Sequence, residues 1–209
     1  MNLPTIAICN FIPDTVALRK IAAQHGFSGV DWTFKLEDIP RNQIEESKLL
    51  RNISMLRDFE VRYHCAFNCV DLGDEDDVKA DAAMDIFQKV CRVVSGLEGK
   101  FITVHLGLGR TSPKGLSWNR TICALADLVS YAEGFDIRLC LENLASGWSS
   151  RPRLFEQLIR KTGAGITLDI GHARVCRSVQ CRTHELEDFV LHHPERVSNA
   201  HVYHEEVDQ

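Results

Sequence analysis

The sequence predicts a single α/β domain whose parallel sheet is rolled toward a barrel. Three observations predict it. Seven short apolar runs alternate with six longer amphipathic stretches, which implies parallel neighbours joined by right-handed crossovers. The first run is not followed by a Gly-x-Gly-x-x-Gly or P-loop pattern, and Gly107-Leu108-Gly109 lacks a third glycine, which argues against an open nucleotide-binding sheet. Nearly every run ends on a residue that can bind a metal or move a proton, as expected where barrel strands converge on one mouth. A length of 209 residues, with 44% hydrophobic and 25% charged, suits one such domain and excludes a disordered chain.

The first strand is expected over 5–9 and the first helix over 14–26, with Asp14 at its start and Gly26 at its end. Strand two, 29–34, carries Asp31. A helix over 46–59 leads to strand three at 61–67, which reads Arg62-Tyr63-His64-Cys65. The acidic run Asp74-Glu75-Asp76-Asp77 is read as the solvated first turn of a helix over 75–98, favoured by the helix dipole and stopped at Gly99. Strand four, 101–106, reads Ile102-Thr103-Val104-His105, and a helix over 117–134 follows. Strand five, 137–141, runs into Glu142-Asn143. Ser150-Arg151-Pro152 opens a helix over 151–162, with proline just inside and Gly163 just beyond. Strand six, 165–170, reads Leu168-Asp169-Ile170-Gly171-His172. A helix over 184–193 would place His184, His192 and His193 on a solvated face. Strand seven, 198–203, carries His201. Each run is nearly continuously apolar, as in strands buried on both faces.

Composition excludes several function classes. A net charge of −5, from 24 Lys+Arg and 29 Asp+Glu, rules out a strongly basic nucleic-acid coat. No apolar run approaches the ~18 residues of a membrane span, and residues 1–8 lack the basic start of a signal peptide. The eight cysteines form no CxxC pair. They are read as reduced, mostly buried small hydrophobes, with Cys176 and Cys181 flanking a polar loop; the expected setting is cytoplasmic.

In a barrel, His64, His105, Glu142, Asp169 and His201 would point into one pocket. Taken singly, each has a plainer reading as a core histidine or a helix-capping acid. Burying Glu142 and Asp169 without compensation would cost several kcal/mol, and five consecutive strands ending this way point to a shared metal site. Imidazoles with carboxylates suit Zn²⁺, Mn²⁺, Co²⁺ or Fe²⁺ better than an oxygen-only Mg²⁺ or Ca²⁺ cage.

Tyr63-His64, Val104-His105-Leu106-Gly107, Leu141-Glu142-Asn143, Leu168-Asp169-Ile170-Gly171-His172-Ala173 and Ala200-His201-Val202 together resemble the xylose isomerase-like TIM-barrel superfamily. That group includes sugar and sugar-phosphate isomerases and epimerases, and endonuclease IV. The resemblance runs in order through essentially the whole chain. It implies a divalent metal ion (Zn, Mn, Co or Fe) held by Glu142, Asp169 and His201. His64, His105 and His172 match positions that hold further metals in the endonuclease branch. It also implies a small carbohydrate substrate, isomerised or epimerised by proton abstraction beside a metal-polarised carbonyl, with Glu142 as the catalytic carboxylate. Asp31, Arg110, Asn143 and Arg151 are candidate substrate contacts, the arginines for a phosphate or carboxylate.

The family completes its barrel with an eighth strand ending in Glu. Seven strand runs are present here, so the expected fold is a TIM-type (β/α) barrel shortened to seven strands, with the eighth βα unit missing. Strands one and seven would then expose unpaired edges. Closure is expected through a loop, a second copy of the chain as a homodimer, or a strained contact between the two edges. Two other functions stand beside the isomerase: a non-catalytic or truncated metal-binding barrel, and an endonuclease IV-like abasic-site phosphodiesterase. Nucleic acid is the less expected partner, because no basic, aromatic-rich insertion offers to grip a bent duplex.

Overall fold

The computed structural model describes residues 4–202. Seven parallel strands pair in sequence order: β1 Ala7–Cys9, β2 Gly29–Phe34, β3 Glu60–Cys65, β4 Phe101–Val104, β5 Arg138–Glu142, β6 Gly165–Asp169 and β7 Val197–His201. The helices are α1 Thr15–Gln24, α2 Gln43–Ile53, α3 Asp77–Gly96, α4 Trp118–Glu133, α5 Pro152–Thr162, and the short α6 Ile170–Val175 and α7 Arg177–Gln180. The sheet curls into an open TIM-type barrel with the helices outside. No helix among the described residues is long and apolar enough to cross a membrane.

Caps set the helix starts. Asp14 accepts from the amides of Val16 and Ala17, and Asp76 from that of Val78. Pro152 opens α5 without a side-chain cap, and Gly163 ends it at φ 79°, a left-handed turn that favours glycine. Gly99 is required by close approach, since a Cβ there would run into the Tyr63 ring and Val94.

The strands differ from the expected doubly apolar pattern. Val30, Trp32 and Phe34 on β2, Tyr63 and Cys65 on β3, and Ile102 and Val104 on β4 belong to the core between sheet and helices. The alternate positions face the barrel interior and carry the polar groups of the strands: Thr103 and Thr167 hydrogen-bond across it at 2.8 Å. So the apolar core lies in the layer outside the sheet, and the barrel axis is lined by groups that can bind and react. Each large side chain fully buried in that outer layer contributes about 1.5–3 kcal/mol.

The edges behave differently. β1 and β7 are not hydrogen-bonded to each other among the described residues, so of the three expected closures the direct edge contact is not formed there. The curl nevertheless brings side chains across the interior. Arg62 on β3 donates to the Ser198 carbonyl on β7, and His201 on β7 meets Asp31 on β2.

Three local expectations are corrected. The helix expected over 184–193 is replaced by one 3₁₀ turn, Leu186–Phe189, and a second, Pro194–Arg196, follows it. His193 there lies 3.6 Å from both Glu156 and Glu195 and is half-buried, not solvated. The acidic run is not uniformly solvated: Asp74 is buried against Arg110, and α3 starts only at Asp77. All eight cysteines are free, but only Cys65, Cys91, Cys140 and Cys176 are buried; Cys9, Cys69, Cys123 and Cys181 are exposed. Burial pushes the Cys91 thiol up to about 12, which makes it inert near neutral pH. Tyr203, expected in strand seven, lies outside the described residues.

Candidate metal centre

The barrel mouth is built from the C-terminal ends of six strands. Asp31 comes from β2, His64 from β3, His105 from the residue after β4, Glu142 from β5, Asp169 from β6 and His201 from β7. His172 joins them from α6. Because side chains alternate along a strand, the inward parity that places Thr103 and Thr167 on the axis also places His105 and Asp169 there, one step nearer the mouth. Glu142 is 1% exposed and Asp169 0%, so both carboxylates are removed from water.

Glu142 sits at the centre. Its Oε2 lies 3.2 Å from Nδ1 of His201, 3.3 Å from Nε2 of His105 and 3.4 Å from Nε2 of His64. None of these contacts is aligned as a hydrogen bond, and Oε2 is buried without a partner. Asp169 divides its oxygens. Oδ1 accepts from the His172 amide at 2.6 Å and so starts α6, while Oδ2 is buried and unpartnered, 3.7 Å from both His172 and His201.

A charged oxygen left unpaired in a dry interior is costly. Here two of them are ringed by imidazole nitrogens that do not donate to them. Nε2 of His64 and Nε2 of His105 face each other at 3.1 Å, where at most one can carry a proton. Three donor groups meet the spacing of a shared cation: His64, His105 and Glu142; Glu142, Asp169 and His172; and Asp31, His64 and His201. Mixed imidazole and carboxylate donors fit a borderline dication. The residues present therefore fit the metal ion that the family pattern implies.

The ring nitrogens turned away from the cluster are held. Nδ1 of His105 meets the Cys65 carbonyl at 3.0 Å, Nδ1 of His64 meets the Thr33 hydroxyl at 3.3 Å, and Nε2 of His201 meets Asp31 at 2.9 Å. Such outer contacts fix tautomer and ring orientation at metal sites. His172 differs: its Nδ1 faces the cluster, 3.7 Å from Glu142 and Asp169, and also lies 3.1 Å from the Asn143 carbonyl.

Protonation follows the same geometry. Burial, then the neighbouring His105, lowers His64 to about 4, so its ring is neutral and free to coordinate. Burial also opposes a charge on His201, but Asp169, Asp31 and Glu142 outweigh it and push the imidazolium up to about 12. Burial alone would raise Glu142; contacts with His105 and His201 win and hold it well below the usual carboxylate range.

The other candidates fall elsewhere. Asn143 is fully buried; its side chain donates to the Asp169 carbonyl and accepts from the Asp169 amide, both at 2.8 Å. That pair of hydrogen bonds splices β5 to β6. Arg110 is taken up by Asp71 at 2.5 Å and Asp74 at 2.8 Å, tying the β3–α3 and β4–α4 loops together. Arg151 is exposed at the start of α5, on a cleft with Arg153, Arg177 and His184. The outer partners Thr33 and Cys65, and the splice by Asn143, were missed from sequence; only their strand parity or adjacency to a ligand hinted at them.

The Xylose isomerase-like TIM barrel family profile matches residues 19–202. The chain belongs to that family. A curated relative, an uncharacterised protein of Methanocaldococcus jannaschii, is 30% identical over 117 residues, 56% of this chain and 49% of that protein. The match thus spans about half the length of the relative. Among solved structures, L-ribulose 3-epimerase superposes with a TM-score of 0.73 at 17% identity, over 95% of this chain and 69% of the other. D-allulose 3-epimerase from Methylomonas sp., in complex with D-allulose, superposes with a TM-score of 0.70 at 15% identity, over 96% and 73%. At these identities the likeness is one of fold: a xylose isomerase-like barrel.

Proposed function

We propose that this family member is a metal-dependent isomerase or epimerase acting on a small sugar, polyol or sugar phosphate. The single observation that carries the reading is the pair of buried, unpartnered oxygens on Glu142 and Asp169, ringed by imidazoles at the barrel mouth. The sugar epimerases among the structural neighbours support the carbohydrate class.

Glu142, Asp169 and His201 would hold the cation, and His64, His105 and His172 complete the donor set. When bound, a divalent ion supplies electrostatic polarisation of a carbonyl and its neighbouring hydroxyl. The chain supplies the rest. Glu142 is kept ionised, as a proton acceptor next to that carbonyl must be, although the same imidazoles weaken it as a base. His172 sits at the half-exposed rim, with Nδ1 3.1 Å from the Asn143 carbonyl. Asn143 positions Asp169, and Arg110 fixes the loops beside the mouth. Arg151 remains the proposed substrate-side group, for a phosphate or carboxylate. Eight free thiols support a reducing, cytoplasmic setting. A second copy covering the β1 and β7 edges belongs to the same reading, and its test is the oligomeric state in solution.

Metal-loaded protein incubated with a panel of ketoses and aldoses in D₂O should exchange the hydrogen next to the carbonyl, and Glu142→Gln should abolish the exchange. Folded, metal-loaded protein inert toward the whole panel would overturn the proposal. One observation favours a second reading: the three donor groups overlap through His64 and Glu142, as a multi-metal phosphodiesterase requires. Cleavage of an abasic-site duplex, lost in Glu142→Gln, would select it.

A further inference from the structure

His201 faces the cluster with one ring nitrogen and leaves it with the other. Nδ1 lies 3.2 Å from Glu142 and 3.7 Å from Asp169, and Nε2 lies 2.9 Å from Oδ2 of Asp31. The partner comes from β2, across the barrel interior from β7, although the two strands share no hydrogen-bonded edge. Among the described residues β7 is an edge strand paired only through β6, and none of its residues is fully buried. Its side chain therefore needs a second anchor to hold the angle that aims Nδ1 at Glu142. Asn199 also approaches Nε2, at 3.4 Å, but an amide nitrogen and a protonated ring nitrogen are both donors, so the shorter contact to the carboxylate decides the orientation.

We infer that Asp31 is a positioning residue for the metal centre: its carboxylate pairs with Nε2 of His201 at 2.9 Å and thereby presents Nδ1 as the coordinating nitrogen, while bracing the free edge of the barrel. This rests on the metal-centre reading above and reassigns Asp31 from substrate contact to orienting group. Carboxylate–histidine–metal arrangements of this kind change metal affinity ~10–100-fold when the carboxylate is removed. Asp31 also belongs to a donor group with His64 and His201, so its competing role is direct coordination of a separate ion.

The two roles separate in a Zn²⁺ titration of the intact protein against a chelating dye, reading stoichiometry and affinity independently of activity. Circular dichroism and thermal melts confirm folding of each variant. The inference predicts that Asp31→Ala keeps the wild-type stoichiometry and loses ~10–100-fold in affinity. Asp31→Asn, which retains an acceptor without the charge, should fall between Asp31→Ala and wild type. In a His201→Ala background, Asp31→Ala should cause no further loss, because the carboxylate acts only through that ring. Unchanged affinity in Asp31→Ala overturns the positioning role. A stoichiometry one equivalent lower assigns Asp31 as a ligand and likewise overturns it. Wild-type protein that takes up no Zn²⁺ overturns the centre itself, and the positioning role with it.

Discussion

The middle of the sheet and its two edges solve different problems with the same strand. On β4, β5 and β6 the helix-facing residues Ile102, Leu139, Leu141 and Ile166 are at most 2% exposed, and the ligand-type residues Glu142 and Asp169 are as deeply buried. On β1 and β7 no residue is fully buried, and His201 is half-buried. The wall places charged groups where solvent cannot screen them, so their geometry is fixed by packing. The edge must fix its one donor through a contact across the barrel. A rigid wall and a tethered edge together make the mouth.

The comparison can be broken first at the wall. Phe155 on α5 is fully buried, and Phe155→Ala should cost about 3–5 kcal/mol, an effect on the order of 10 °C in melting temperature by calorimetry. A loss below about 1 kcal/mol would mean that the wall is not tightly packed. Next comes the polar clamp beside it. Arg110→Ala strands Asp71, whose side chain is 3% exposed, and should destabilise by about 3 kcal/mol in urea unfolding. Removing both charges, as in Arg110→Leu/Asp71→Asn, should recover part of that loss.

A third effect concerns the edge donor. The His201 proton, held up to about 12, must leave when a cation binds. Affinity should therefore rise about tenfold per pH unit between pH 6 and 8, with close to one proton released per ion by calorimetry in buffers of different ionisation enthalpy. His64, lowered to about 4, is already neutral in that range and adds nothing. Without cation, the raised His201 pKa contributes stability that is fully present below about pH 6.5 and declines as pH climbs toward about 12. The smallest effect belongs to the outer edge: Ile8→Ala on half-buried β1 should cost about 1 kcal/mol. A loss as large as that of Phe155→Ala would show that the edge is covered in solution.

Much of this was legible in the sequence because strand ends carry their chemistry as local motifs. β2 matches its expected bounds, Gly29–Phe34, and the donors at His64, His105, Glu142, Asp169 and His201 do converge. The inner parity was harder to see, since Thr103, Cys140 and Thr167 are small enough to pass for members of an apolar run. The segment 184–193 looked helical by composition, but Pro194 and the packing of Phe189 onto Phe155 favour short turns. Asp74 looked like one acid in a solvated run; its partner Arg110 lies 36 residues away, and long-range pairing leaves no mark on local pattern. For the same reason the tie between the Asn143 side chain and the Asp169 backbone, 26 residues away, left no mark on the local pattern.

The central claim is that the buried oxygens of Glu142 and Asp169 exist to hold a cation. Elemental analysis of purified wild-type protein beside Glu142→Ala/Asp169→Ala, each after incubation with Zn²⁺, Mn²⁺, Co²⁺ or Fe²⁺ and desalting, tests it most directly. The account predicts one or more equivalents of one of these ions in the wild type and none in a folded double variant. Folded wild-type protein that retains no ion would contradict it.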